Sequence, residues 1–350
     1  MAEPVLTTRG LNRALLARQH LLERSPLGLT EVVEQMGGVQ TQYAPAGYIG
    51  LWSRMRDFTR PMLTHALEER SVIQATLMRA TIHMVSAADY WPMEVGVRRI
   101  RAEWFERIAR REIEKFDPAA VAEAVRDVLA DGPLRMKELS ERLAERGIPA
   151  TAARWAGTWV DLVRVPPCGT WERRRADIHG LADDWVARTD VTEEEGMELL
   201  IRRYLGAFGP APLKDVASWM GMNAGQIRHV ADGIELRSLR DDGGRTLLDL
   251  PDAPLPDPET PAPPRFLAVW DAALLVHARR TLILPEELRP QIFNTKTPHS
   301  HNTFLLDGHV AGTWRFEGGE INLSPLRPLT GAERAALDDE AHQLAIFHAG

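Results

Sequence analysis

Cysteine and lysine are both scarce in this chain. A single cysteine among 350 residues, Cys168, excludes an internal disulfide and a cysteine-ligated zinc site. Lysine occurs four times (Lys115, Lys137, Lys214 and Lys296), so 38 of the 42 basic residues are arginine. Together with 26 glycines and 24 prolines, this is the residue usage of GC-rich coding rather than a functional signal. No apolar run approaches the ~20 residues that span a bilayer. Residues 1–10 lack the apolar segment of a secretory leader. A soluble cytoplasmic protein with no membrane partner is expected. A long heptad repeat is also missing, which leaves no coiled-coil dimerisation helix and favours a monomer.

What is present is an ordinary globular composition, 44% hydrophobic and 26% charged, long enough for two or three modules with sizeable cores. The net charge of −7 argues against a surface basic all over, but not against a basic cleft. Residues 1–116 hold 16 basic against 13 acidic side chains, whereas residues 181–260 are acidic. The sign of the total therefore does not decide for or against nucleic acid.

Apolar residues at helical spacing predict a helix over residues 11–22, and a second from Leu29 that stops at Gly37-Gly38. Two more are expected over 46–56 and 60–69. Val72 to Leu77 and Thr81 to Val85 then read as short strands around Met78-Arg79-Ala80. Helices followed by a hairpin are the order of a winged helix-turn-helix. The order recurs twice, opened by the similar segments Gly132-Pro133-Leu134-Arg135-Met136-Lys137-Glu138-Leu139 and Gly209-Pro210-Ala211-Pro212-Leu213-Lys214-Asp215-Val216. Short helices are expected over Lys137 to Arg146 and Leu213 to Met220, then over Ala150 to Val163 and Asn223 to Val230. The second hairpin is placed around Trp171 to Arg175 and Asp177 to Gly180, the third at Glu235 to Leu239 and Thr246 to Leu250. A repeat of about 75 residues supports three tandem winged helices.

The resulting division is α+β: a first winged helix over 1–100, a second over 101–190 and a third over 191–250. A stiff linker with seven prolines over 251–264 leads to a C-terminal α+β unit over 265–350. In that unit Phe266 to Trp270, Thr281 to Leu284, Thr303 to Leu306 and His309 to Phe316 read as strands, and Gly331 to His348 as a helix.

Winged helices mostly bind duplex nucleic acid, one helix in the major groove and the wing along phosphate. The hairpin side chains Arg79, His83, Arg173, Arg174 and Arg175 are candidates for DNA contact, as is the loop holding Lys296, His299 and His301. A solvated charge is the alternative for each arginine, and a core-edge histidine for His83. His299-Ser300-His301 with His277 and His309 would also suggest a metal, but zinc needs three or four convergent ligands and no HExxH or cysteine partner accompanies them. No metal or cofactor is expected. Asp271 and His277 flank an apolar run and read either as site residues or as a buried, satisfied pair. The sharpest feature is Gln40-Thr41-Gln42 after Gly37-Gly38-Val39. In extended chain, two amides one residue apart point to the same side, and the glycines permit close approach of a ligand.

Four segments carry a resemblance. Gly38-Val39-Gln40-Thr41-Gln42-Tyr43-Ala44-Pro45 resembles the catalytic motif of the AlkZ-type winged-helix DNA glycosylases. Arg79-Ala80-Thr81-Ile82-His83-Met84-Val85, Trp270 to His277 and Leu306 to Trp314 resemble that family in the same order. The resemblance implies tandem winged helices around a DNA channel and removal of N7-alkylated purines. Its antibiotic-cluster members resist DNA-alkylating natural products, including crosslinkers such as azinomycin. A sister YcaQ-like branch has histidine at the first glutamine, so Gln40 places this chain in the glutamine–glutamine branch. Thr41 stands where the motif usually has an aliphatic residue. The resemblance makes Gln40 and Gln42 the catalytic pair that positions water at C1′, with Thr41, Asp271 and His277 behind them. The partner is double-stranded DNA with alkylated bases. No lysine lies near the motif in sequence, which points to a monofunctional enzyme. The alternatives are a non-catalytic winged-helix regulator and a protein-binding scaffold.

Overall fold

The computed structural model describes residues 5–275, 280–293 and 300–350. It is a mixed α and β structure. Strand β1 (Val5–Leu6) leads into the helix Thr8–Arg18, which begins a turn earlier than its apolar spacing suggests because Thr7 accepts the Gly10 N–H as N-cap. The helix Leu29–Gln35 stops at Gly37 and Gly38, both with positive φ (69° and 82°), a reversal glycine makes without strain. The chain then enters β2 (Val39–Gln40). The helices Ala44–Trp52 and Arg60–Glu68 precede β3 (Val72–Thr76), the single turn Met78–Ala80 and β4 (Ile82–Ser86).

The helix Ala87–Ile113 spans 27 residues and crosses the helix Glu193–Phe208 at backbone contact. A Cβ on Gly96 would lie 2.7 Å from the Gly196 carbonyl carbon, so only glycine fits there. Next come the helix Pro118–Leu129, β5 (Leu134–Arg135), the helices Met136–Glu145 and Ala150–Arg154, β6 (Leu162–Arg164) and β7 (Ile178–Leu181). Here the structure corrects two expectations. The helix from Ala150 ends at Arg154, well short of Val163. The second hairpin uses Leu162–Arg164 and Ile178–Leu181, and residues 171–175 lie in the loop between them. Pro166 and Pro167, which lack ladder donors, stop the strand before it could reach Trp171.

The helices Leu213–Met220 and Ala224–Asp232 are followed by β8 (Arg237–Asp241) and β9 (Thr246–Asp249), turned near Asp242-Gly243-Gly244. Residues 251–264 form no helix or strand. Buried arginines tie this stretch down: Arg13 Nε donates to the Thr260 carbonyl at 2.7 Å and Arg18 Nη2 to that of Pro254 at 3.1 Å. The remaining strands are β10 (Arg265–Leu267), β11 (Thr303–Leu306), β12 (His309–Glu317) and β13 (Glu320–Pro325), before the helix Gly331–Ala349. The strand expected over Thr281 to Leu284 is instead a 3-10 turn, Arg280–Leu282, and β13 is additional.

Among the described residues the strands form three sheets. β2-β4-β3-β6-β7-β5 is a six-stranded sheet that joins the first two hairpins, with Gln74 opposite Arg164 at the junction of β3 and β6. β1 pairs in parallel with β8 in the sheet β1-β8-β9, and β10-β11-β12-β13 is a meander. One apolar core runs through Leu15, Ile73, Val85, Trp91, Leu200, Tyr204 and Phe208. A second joins Tyr48, Leu51 and Met84 to Phe266, Phe304, Trp314 and Phe347. A third, separate core lies within residues 121–160. The motif strand β2 sits at the edge of the largest sheet, with Val39 in the second core. No helix among the described residues is long and apolar enough to cross a membrane.

Candidate active site

Gln40 ends β2, opposite His83 of β4. Thr41 turns inward: it is 1% exposed and its Oγ1 accepts from Gln74 Nε2 at 3.1 Å. Its backbone N–H donates to the Ile82 carbonyl at 2.8 Å. With Thr41 directed into the sheet, the half-buried Gln40 and the exposed Gln42 project away from it, as the period of an extended chain requires. Both amide oxygens are anchored within residues 79–82, one by the turn Met78–Ala80 and the other by the first residue of β4. Gln40 Oε1 accepts from Arg79 Nη2 at 2.9 Å, and Gln42 Oε1 accepts from the Ile82 backbone N–H at 2.9 Å.

Arg79 does not point outward from its hairpin. It has φ of 54° and Ala80 has 55°, two successive left-handed L-residues, a conformation that persists only where the surroundings enforce it. The second arm of Arg79, Nη1, donates to the Trp219 carbonyl at 2.9 Å, at the end of the helix Leu213–Met220. Burial pulls the guanidinium down to about 10. His83 is 2% exposed, its Nδ1 is 3.0 Å from the Thr81 carbonyl, and burial reinforced by the Arg79 charge drops it to about 3. It is a neutral interior histidine, which corrects its expected place at phosphate.

Arg173, Arg174 and Arg175 are exposed. Arg174 Nη1 donates to the Tyr43 hydroxyl at 2.8 Å, so the loop is brought beside the residue that follows Gln42. Arg175 lies 3.5 Å from Asp177. Gln42, Tyr43, Arg174, Trp270, Phe316 and His348 line part of a cleft of about 560 Å³ between the motif and the C-terminal meander. His348 stacks on Phe316 at 4.4 Å, and burial lowers it to about 4.

Asp271 is 8% exposed and forms a bidentate pair with the fully buried Arg54, at 2.8 and 2.9 Å. Of its two readings, the buried and satisfied one describes this geometry. The pair links the segment after Trp270 to the helix Ala44–Trp52 through the Gly50 carbonyl, which Arg54 also meets at 3.0 Å. His301 is exposed. Lys296, His299 and His277 lie outside the described residues. Sequence reasoning passed over Gln74, Arg54, the Ile82 N–H and the Trp219 carbonyl. Only Gln74 left a signal, a polar residue within the apolar strand Val72–Thr76; the others act through backbone or distant pairing.

The architecture is shared. The chain matches the Streptomyces sahachiroi DNA glycosylase AlkZ with a TM-score of 0.80 at 19% identity, over 99% of this chain and 98% of that one. The curated protein named interstrand DNA cross-link repair glycosylase, also of Streptomyces sahachiroi, is 21% identical over 351 residues, 94% of this chain and 93% of that protein. The family model described as DNA glycosylase AlkZ-like matches residues 33–347. This chain belongs to that family, and is therefore an enzyme of the DNA glycosylase type with DNA as substrate.

Proposed function

We propose that the chain excises N7-alkylated purines from duplex DNA by hydrolysis, with Gln40 and Gln42 organising the attack of water. The observation that carries this reading is the anchored pair: two amides at the end of an edge strand, the Gln40 carbonyl held by Arg79 of the Met78–Ala80 turn and the Gln42 carbonyl by the Ile82 N–H at the start of β4. N7 alkylation gives the purine a positive charge. As the C1′–N9 bond breaks, its electron pair neutralises the ring, so the base leaves without a general acid. The water oxygen bonds to C1′ and its proton passes to solvent. The protein's task is to place that water and tolerate a cationic sugar, which neutral amide dipoles do without adding charge.

The relative named for cross-link repair supports bulky adducts and interstrand crosslinks within the substrate range, in base-excision repair or in self-resistance to an alkylating product. The three helix-plus-hairpin segments serve in this reading as winged helices along the duplex, with Arg173, Arg174 and Arg175 at phosphate and the loop holding Lys296, His299 and His301 entering a DNA groove beside the lesion. In this reading the enzyme is a monofunctional monomer at work on the nucleoid, with no lysine near the glutamine motif in sequence. The test is incubation with a duplex carrying N7-methylguanine in EDTA, with abasic sites counted after alkaline cleavage. Wild type releases the base, while Gln42→Ala loses about 100-fold or more in rate and still binds DNA. Tight binding without base release by the wild type, on simple and bulky adducts alike, would instead favour a regulator.

A further inference from the structure

We infer that the two glutamines are not equivalent: Arg79 is a positioning residue that fixes Gln40 as a hydrogen-bond donor to DNA, leaving Gln42 alone to accept a hydrogen bond from the attacking water. This rests on the function proposed above and assigns the roles within it.

The orientation of each amide follows from its neighbour's chemistry. A guanidinium has five N–H donors and no acceptor, so the Gln40 atom 2.9 Å from Arg79 must be the oxygen. The same logic applies to Gln42, whose partner is the Ile82 N–H. The partners differ in charge. A carbonyl that already accepts from a cation has less electron density to offer a water, and its amide N–H groups become better donors. Among the described residues the donor to Gln42 Oε1 is a neutral peptide N–H, which leaves its second lone pair at full strength. Their settings differ in the same sense: Gln42 is exposed and lines the aromatic cleft, whereas Gln40 is half buried with Arg79 behind it.

Arg79 is held for this purpose at both ends. Its backbone is left-handed, its Nη1 is tied to the Trp219 carbonyl, and it meets no carboxylate among the described residues. Its positive charge is thus not cancelled locally and is felt through the Gln40 amide. The matching acceptor is a phosphate oxygen beside the lesion, so Gln40 and Arg79 together read the backbone while Gln42 faces C1′.

Single-turnover excision of N7-methylguanine separates these roles, with folding of each variant checked by thermal melting. Gln42→Glu retains an acceptor for the Ile82 N–H and for water, whereas Gln40→Glu loses its donors and pairs with Arg79. Gln42→Glu is expected to keep at least about tenfold more activity than Gln40→Glu, and Gln40→Glu alone to lose duplex affinity. Arg79→Ala is expected to lose activity that guanidinium ion partly restores and equal sodium chloride does not. The same addition leaves Gln40→Ala unchanged. Arg79→Lys, which keeps the charge but not the fork, is expected to fall between. Equal rates for Gln40→Glu and Gln42→Glu, or no rescue of folded Arg79→Ala, would overturn the assignment. If Gln42→Ala excises as well as the wild type, it is the proposed function that fails, a distinguishable result.

Discussion

Arg54 and Arg79 are both drawn into the protein near the glutamine motif, and they differ in what they meet. Arg54 is fully buried and answered by a bidentate carboxylate, a backbone carbonyl and Gln19. Arg18 and Arg101 are likewise matched to Asp249 and Glu94. Arg79 has two neutral oxygens and Arg164 one, the Thr76 hydroxyl; neither meets a carboxylate among the described residues. Burial lowers each of these two to about 10. The first kind is cancelled within the fold; the second leaves a charge uncancelled, the setting from which the positioning role of Arg79 is inferred above.

The largest effect that would test this contrast is on stability. Asp271→Ala strands the Arg54 charge and should cost about 3–5 kcal/mol, read by urea unfolding, with excision per folded molecule retained. A variant that is stable but inactive would move Asp271 into the chemistry. Arg79→Ala should do the reverse, changing stability by about 1 kcal/mol or less while lowering the excision rate. It should also let His83 rise from about 3, since the Arg79 charge adds to burial in holding that histidine neutral; an imidazole chemical-shift titration measures this.

The buried histidines give a sign for pH. His83, His179 and His348 all sit below the ordinary 6.5, the last two at about 4. Their folded values are depressed, so the unfolded chain binds more protons between about pH 4 and 6.5. Their contribution is fully present above 6.5 and is lost as pH falls. Asp161, raised by burial and Glu94 to about 6, works in the opposite sense over its own range. His348→Phe should flatten the acid-side decline in melting temperature. The smallest effect belongs to Arg174, exposed and hydrogen-bonded to Tyr43. Arg174→Ala should lower the slope of log affinity against log salt by about one unit.

Much of the local order was legible. The glycine pair stops its helix, the alternation around Thr41 sends both glutamines to one side, and the helix Leu213–Met220 has its expected ends. What failed did so for identifiable reasons. The run Arg173-Arg174-Arg175 looked like a strand arm because it sits in a polar stretch before Ile178. The alternating apolar positions that pair are Leu162–Arg164, on the far side of two prolines. β13 was readable in the alternation Glu320-Ile321-Asn322-Leu323 and was passed over. The joining of the first two hairpins through Gln74 and Arg164 was not readable, since those residues stand ninety positions apart and nothing local to either specifies the other. For the site, the motif itself was visible, whereas its anchors are a backbone N–H, a distant carbonyl and an arginine whose unusual φ turns it inward.

The anchoring of Arg79 by the Trp219 carbonyl also bears on how the protein is made. Synthesis proceeds from the N-terminus and segments fold as they emerge. Gln40, Gln42 and Arg79 leave the ribosome early, but β3 waits for β6, and Arg79 waits for a residue 140 positions downstream. A nascent or truncated chain therefore carries the motif without its fixed geometry. The capacity to cut a base from DNA arrives only after most of the chain has been translated.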